Sequence, residues 1–403
     1  ASHNLRCGYL KSEAQLKGFI TQNLKGTVTS MEKKILHVGL DVDDTAFHGC
    51  ALLSQEGELI EFRCRPNVDG LVKKFKEISG RAEGREIHVC YEAGYLGFTL
   101  QRELAKAGIH CDVIDPGSIP RATGKRLKTD RLDAIKLAGY YANGMLKVVV
   151  TPDEETERDR DLLRSRQFVL GQLSELRTHI HGLLRRAGRH YKVEMNAKSH
   201  WSRNHLVWLE RTAEELEGSL RVNLLLLLSQ MKILENTMKE YGQAVDALAV
   251  SKRYEKPVQA LTCYRGIKNT FAMTMITEIG GIKRFSHPRK LVSWSGLDLR
   301  EYSSGGTHHR FGITKHGNRF LRTALVEANQ RTCRSPNVGK DVLARRRNLP
   351  AAFVEIAERC QRRLAKKAYR MTAAGKHTNK VKVACAREMI GFVWESLNLA
   401  QAA

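Results

Sequence analysis

Nine apolar residues, Leu220, Leu224, Leu227, Met231, Leu234, Met238, Tyr241, Val245 and Leu248, follow one another at alternating steps of four and three without a miss. No strand can use that spacing, because strand side chains repeat every two residues. The series predicts one long helix with a continuous apolar seam. Four heptads are enough for a coiled-coil hairpin or a dimer seam, and packing inside an intramolecular bundle is the alternative. A shorter series with the same steps, Val169, Leu173, Leu176, Ile180 and Leu183, precedes it across a polar break around Gly188–Ser202. Residues 151–258 therefore read as a helical arm between two other blocks.

The block before the arm, residues 31–150, has a different rhythm. Ile35–Leu40, Ala46–Leu53 and Glu58–Cys64 read as strands, the last two joined by a turn at Gln55-Glu56-Gly57. Helical spacing follows at Leu71–Ile78, then a strand at Glu86–Tyr91, a helix at Leu96–Ala107, a strand at Cys111–Ile114, a helix at Asp130–Tyr141 and a final strand at Met145–Val150. Hairpins followed by strand–helix alternation predict a mixed α/β sheet. Residues 1–30 lack periodicity and read as an extension before Met31.

Four carboxylates stand out in this block. Asp41 and Glu92 each close a predicted strand, and Asp130 and Asp133 lie three apart at the start of a helix, so they point in similar directions. Oxygen donors gathered in this way suit hard divalent cations, which keep open positions for phosphate and water. A plainer reading assigns Asp130 to the helix N-cap, Asp133 to the first turn, and the Asp41, Asp43, Asp44 run to turn chemistry. Lys125, Arg126, Lys128 and Arg131 flank Asp130 and suit a polyanionic substrate, or a solvated loop.

Charge supports a polyanionic partner. The 403 residues hold 67 Lys and Arg against 43 Asp and Glu, a net charge of +24. Nucleic acid is the commonest partner of such a surface. Nine scattered cysteines without a C-x-x-C pair give neither a zinc-finger nor a disulfide framework, and predict reduced thiols in a cytosol. The densest apolar run, Leu224–Leu228, is far too short to span a bilayer, so no membrane role is expected.

The block after the arm, residues 259–403, is predicted mainly helical and basic. Helices at Val258–Tyr264 and up to Ile279 flank Arg265-Gly266-Ile267-Lys268, and Gly280-Gly281 ends the second. The stretch Tyr302–Arg322 holds a serine pair against a glycine pair, then His308, His309, Arg310, Lys315, Arg319 and Arg322, and no acidic residue. A hydroxyl on a turn followed by cations fits a nucleophile meeting a phosphodiester, or a basic loop that only touches nucleic acid.

Three motifs make the resemblance specific. G-L-D-V-D at Gly39–Asp43, Y-E-A-G at Tyr91–Gly94 and K-T-D-R-L-D-A at Lys128–Ala134 resemble the D-E-D-D signature of an RuvC-like, RNase H-type domain. With S-S-G-G and I-T-K-H-G-N-R-F-L-R downstream, the chain resembles the DEDD transposases of the IS110 group of insertion sequences over roughly residues 33–400. Actin-like ATPases also open on a strand and Gly-x-Asp, but no later Gly-rich phosphate loop of that type follows. The resemblance implies a DNA transposase and recombinase with Asp41, Glu92, Asp130 and Asp133 as ligands of Mg2+, or Mn2+ in its place. It implies Ser304, directly before glycine, as the nucleophile, with Ser303 as competitor. It implies a helix–hairpin–helix around Arg265–Lys268, where Lys268 replaces the usual second glycine and would contact phosphate itself. A structured noncoding bridge RNA pairing with donor and target DNA, dimers assembling into a tetramer, and action on nucleoid DNA in a bacterial or archaeal cytoplasm are also implied. Two other classes stay open on the residues alone: a metal-dependent nuclease or junction resolvase that cuts with water, and a non-catalytic nucleic-acid scaffold.

Overall fold

The computed structural model describes residues 35–53, 58–82, 84–120, 129–304, 307–332 and 337–402. The turn expected at Gln55-Glu56-Gly57 lies outside them. Two compact units meet in sequence at Thr151 and Pro152.

The first unit is built on β1 (Ile35–Val42), the middle strand of a five-stranded sheet ordered β3-β2-β1-β4-β5. β2 (Phe47–Leu52) and β3 (Leu59–Cys64) extend one side as antiparallel neighbours, whereas β4 (Glu86–Glu92) and β5 (His110–Ile114) run parallel to β1 on the other. The mixed sheet expected from the strand–helix rhythm is therefore present. Pleating sends alternate side chains to opposite faces. Leu36, Val38, Leu40, Val89 and Tyr91 face α1 (Val68–Ser79) and α2 (Thr99–Lys106), which supply Leu71, Phe75, Leu100 and Leu104 to the larger core. The opposite face is covered by α3 (Asp130–Ala142), whose Ala134, Ile135 and Ala138 pack on Cys50 and Leu52 and whose Leu137 packs on Cys90 and Ile114.

Gly39 sets how closely α3 lies. A Cβ there would stand 2.4 Å from both the Ala134 carbonyl oxygen and the Ala138 amide nitrogen. Backbone cannot yield as a flexible side chain does, so Gly39→Val is expected to cost about 3 kcal/mol of stability. Chemical denaturation measures it, and a loss of unfolding free energy below about 1 kcal/mol would show that the helix slides freely. The strand expected at Met145–Val150 does not form. Only an isolated bridge joins Ile114 to Val148, and the Asp115 amide takes the Lys147 carbonyl, because β5 already ends at Ile114 and leaves little ladder to extend.

In the second unit the heptad series lies on α7 (Gly218–Ala249), and the shorter series on α4 (Glu154–Arg186). Asp153 caps α4 by accepting from the Thr156 amide, and three acidic residues occupy its first turn. The two helices pack antiparallel: Arg177 pairs with Glu235 at 2.8 Å, and Arg253 just past α7 reaches back to Asp153. Leu173, Leu176, Ile180, Leu224 and Met231 share one core with α6 (Arg203–Glu215), so the seam is turned onto helices of the same chain. A four-residue helix, α5 (Tyr191–Glu194), and the segment up to Ser202 join α4 to α6.

The remaining helices are α8 (Glu255–Thr262), α9 (Asn269–Ile279), α10 (Pro288–Trp294), α11 (Arg319–Thr332), α12 (Lys340–Arg346), α13 (Ala351–Ala373) and α14 (Thr378–Ala402). They enclose the largest core, with α14 contributing Val381, Cys385, Met389, Ile390 and Val393. Within this mainly helical unit lies a β-hairpin that was not expected, β6 (Leu299–Ser304) with β7 (Thr307–Ile313). Among the described residues no helix is long and apolar enough to cross a membrane.

Candidate active site and nucleic-acid interface

Strand parity builds the first site. Asp41 lies two residues beyond Gly39 on β1, and Glu92 two beyond Cys90 on β4, so both belong to the face that α3 covers. Leu40 pairs with Tyr91 in parallel register, which sets Asp41 and Glu92 side by side at the carboxyl ends of neighbouring strands. α3 begins at this edge with Asp130 and carries Asp133 in the same turn. His48 on β2 stands opposite Asp41, and its Nε2 lies 4.0 Å from Asp130 Oδ2. One sheet edge and one helix start thus assemble residues that are far apart in sequence.

The cap of α3 is not Asp130. Thr129 takes that role, its side chain accepting from the Leu132 amide at 3.4 Å. Both aspartates are thereby released from capping, although the helix N-terminus still favours their charge. Asp43, in contrast, is spent on the turn: its Oδ1 accepts from the Thr45 amide at 2.9 Å and the Thr45 hydroxyl at 2.7 Å. The Thr45 amide and hydroxyl hold its carboxyl below the usual range.

Asp133 is paired with Lys136 at 2.5 Å. No three of the four carboxylates bring oxygens within 4.8 Å of one another. Lys136 occupies an oxygen of Asp133, while His48 only stands beside Asp130. An all-carboxylate donor set at one strand edge fits a hard divalent ion held by Asp41, Glu92, Asp130 and Asp133. Tyr95 was not foreseen. Its hydroxyl lies 3.4 Å from the Val42 carbonyl, and desolvation together with Asp44, Asp43 and Asp41 raises its ionisation above the ordinary phenol value. The only signal in sequence is its place three residues after Glu92.

Of the flanking cations, Lys125, Arg126 and Lys128 lie outside the described residues. Arg131 is engaged with Glu61 of β3 through Nε and Nη2.

The second site is the hairpin. Ser304 ends β6 opposite Thr307, and Ser303 pairs with His308, so Ser304 stands nearest the tip. Ser304, His308 and Arg310 are placed by their backbone. His309 and Tyr302 are exposed. The base of the hairpin is pinned: the Thr314 amide donates to Asp298, the Lys315 amide to Gly296 and the Asn318 amide to Trp294. Two glycines make this possible. A Cβ on Gly317 (φ 140) would meet the Trp294 oxygen at 2.3 Å, and one on Gly296 (φ 69) would meet the His316 oxygen at 2.9 Å. The S-G-L and K-H-G-N motifs are thus two halves of one tight junction, closed by Arg322, whose Nη1 donates to the Ser295 oxygen at 2.7 Å.

A buried carboxylate supports that junction. Glu278, 2% exposed, accepts two hydrogen bonds from Arg164 at 2.7 and 2.9 Å and one from the Asn318 amide side chain at 2.6 Å. Arg160 lies 3.9 Å from it and donates to the Thr277 oxygen. Removing one member of such a cluster leaves the rest buried and unpaired. Glu278→Ala is expected to cost about 3 kcal/mol, read by thermal or urea unfolding; a neutral effect would mean that water replaces the carboxylate.

Beside this cluster lies a cleft of about 960 Å³ between α4, the Arg265–Lys268 turn, α11 and α12. Arg166, exposed Lys268 and exposed Arg319 line it, with Arg319 stacked on Phe320 at 4.7 Å. Gly266 lets the turn approach α11, since a Cβ there would stand 2.1 Å from the Ala328 oxygen. The Arg345-Arg346-Arg347 run is partly structural: Arg345 donates to the Thr262 and Ile267 oxygens, and Arg346 to that of Cys263.

Comparison with known proteins gives this arrangement its class. Residues 38–188 match the DEDD transposase family model of the IS110 group, and residues 258–343 match the model described as Transposase IS116/IS110/IS902 family. A DNA-processing enzyme with a DEDD nuclease-like sheet and a helical second unit is thereby defined. The chain belongs to the IS110 family of transposases. It is 33% identical over 361 residues to y4qE of Sinorhizobium fredii, a protein named for transposase function, covering 89% of this chain and 87% of that one. It is 30% identical over 344 residues to the transposase for insertion sequence element IS1533 of Leptospira borgpetersenii, covering 83% and 96%. It is 25% identical to the transposase for IS1111A of Coxiella burnetii, covering 73% and 77%. DNA is the substrate such a protein acts on, and DEDD transposases use a divalent metal ion.

Proposed function

We propose that this transposase cuts and rejoins DNA through a covalent link to Ser304, with Mg2+ (Mn2+ in its place) held by Asp41, Glu92, Asp130 and Asp133. The observation that carries the metal half is the common face of β1, β4 and α3 that collects these carboxylates at one edge. The bound cation would neutralise charge developing on the phosphate. The Ser304 Oγ forms a bond to phosphorus as the bond to the leaving strand's oxygen breaks; the hydroxyl proton is lost on attack, and the leaving oxygen gains one. A hydroxyl on the incoming strand reverses the step, so the phosphodiester bond is conserved. His308, His309, Arg310 and Lys315 on or beside the hairpin, with Lys268, Arg319 and Arg322, are the phosphate contacts of this reading, Arg322 acting chiefly through Ser295. Lys125, Arg126, Lys128 and Arg131 serve the carboxylate site. The net charge of +24 supports an extended polyanionic partner.

The RNase H-type fold of the first unit, a helix–hairpin–helix at Arg265–Lys268 and a coiled-coil arm belong to the same reading. So does sequence choice by a structured bridge RNA paired with donor and target DNA, the protein reading backbone and shape. Homodimers joining into a tetramer are supported by Val222, Leu225, Leu226 and Ile233, which stand exposed on α7. The work would be done on nucleoid DNA in the cytoplasm. Sequencing the nucleic acid that co-purifies with the protein, then assaying plasmid strand exchange before and after ribonuclease, tests the guide. A discrete structured RNA whose digestion stops exchange is expected; random fragments and ribonuclease-insensitive exchange would contradict it.

A further inference from the structure

Three imidazoles meet where α4, the segment before α6 and α6 itself come together. His181, His200 and His205 bring ligand nitrogens within 4.8 Å of one another. The rings of His181 and His200 are 4.1 Å apart edge to face, and His181 stacks on His205 at 5.5 Å. His205 is fully buried, and its Nε2 has no hydrogen-bond partner. A buried polar nitrogen without a partner is costly, and this one belongs to a ring packed against two other imidazoles. A pocket of about 180 Å³ opens over His181 and His200.

We propose that His181, His200 and His205 bind one zinc ion, with water in the fourth position facing this pocket. Zinc takes imidazole nitrogens at about 2.0–2.1 Å, which places the three nitrogens about 3.4 Å apart around a tetrahedral ion. From separations within 4.8 Å, the nitrogens contract by at most about 1.4 Å to reach that geometry. Arg185 and Lys192 oppose a dication, but both are exposed to solvent and their fields are screened within about 8 Å. Aspartate and glutamate are missing from the trio, so the site selects against the hard ions that suit the carboxylates of the first unit.

The segment that must move is already identified. His205 Nδ1 accepts the Trp201 amide hydrogen at 3.0 Å, which puts the ring hydrogen on Nε2 while the metal is absent. Ligation through Nε2 shifts that hydrogen to Nδ1 and releases the Trp201 amide; ligation through Nδ1 replaces the amide directly. Trp201 holds φ 63, a left-handed conformation uncommon for so large a residue, and it follows His200 directly. Zinc would therefore reset this turn while tying α4 to α6 at the end of the arm.

The test uses the full chain, stripped with a chelator and free of any histidine tag. Titration with Zn2+ should show one tight site per chain, a change in tryptophan fluorescence and a higher melting temperature. Co2+ in its place should give the strong visible bands of a tetrahedral nitrogen site. His181→Asn and His200→Asn, both at half-buried positions, should keep the far-ultraviolet helical signal and lower Zn2+ affinity at least tenfold. Asp41→Asn should leave all of this intact, which separates the site from the reaction proposed above. Absence of stoichiometric uptake, an octahedral cobalt spectrum, or unchanged uptake in the two histidine variants would overturn the proposal.

Discussion

An Asp41→Asn protein is expected to bind DNA as tightly as the parent and to lose strand cleavage by about 10²–10³-fold or more. The change is nearly isosteric, so β1 and its ladder to β2 and β4 persist. It removes a formal charge and replaces one carboxylate oxygen by an amide nitrogen at the edge where Glu92 stands alongside. Asp43→Asn is the matched control. That carboxylate is occupied by the Thr45 amide and hydroxyl, and asparagine retains an acceptor for both. Cleavage on a plasmid substrate, with DNA binding followed by fluorescence anisotropy, separates the two variants. Equal activity in Asp41→Asn and the parent would remove the carboxylate site from the chemistry and favour a scaffold role.

Ser304→Ala is expected to reduce strand exchange by roughly three orders of magnitude or more and to eliminate any protein–DNA adduct. Ser303→Ala should retain both. The two hydroxyls differ in position along the hairpin: Ser303 is paired with His308, whereas Ser304 sits at the last described pair before the tip. Serine to alanine removes one oxygen and leaves the backbone pairing of the strand end available, so loss of exchange reports the missing hydroxyl. Full cleavage without an adduct in Ser304→Ala would identify the enzyme as a water-using nuclease or resolvase instead.

Much of the first unit was legible in the sequence because its strands alternate or run apolar and its helices keep their spacing. Gly39 and Asp41 could be read as strand residues, but not that their shared parity points both at α3. That required knowing which face the helix covers. Capping misled locally: Asp130 and Thr129 are both good caps, and only the backbone shows that Thr129 is used. Met145–Val150 looked like a strand because its side chains suit one, while the sheet offers it a single bridge. The β6–β7 hairpin was missed although two short runs flank Gly305-Gly306, a known hairpin signal, because cations and histidines obscured the alternation. In the second unit, heptad spacing located α7 and its seam but not the partner. Glu278 and the histidine trio were invisible for a simpler reason: Arg164 and Asn318 reach Glu278 from separate elements, and His181 on α4 meets His200 and His205 only through the fold.

The most direct measurement traps the reaction on a nicked DNA substrate that prevents rejoining, digests the protein and maps the linked residue by mass spectrometry. The account predicts DNA phosphate on the peptide containing Ser304, formed only with a divalent cation present and absent in Asp41→Asn. Cleaved DNA with no linked peptide, or a link at another residue, would contradict it.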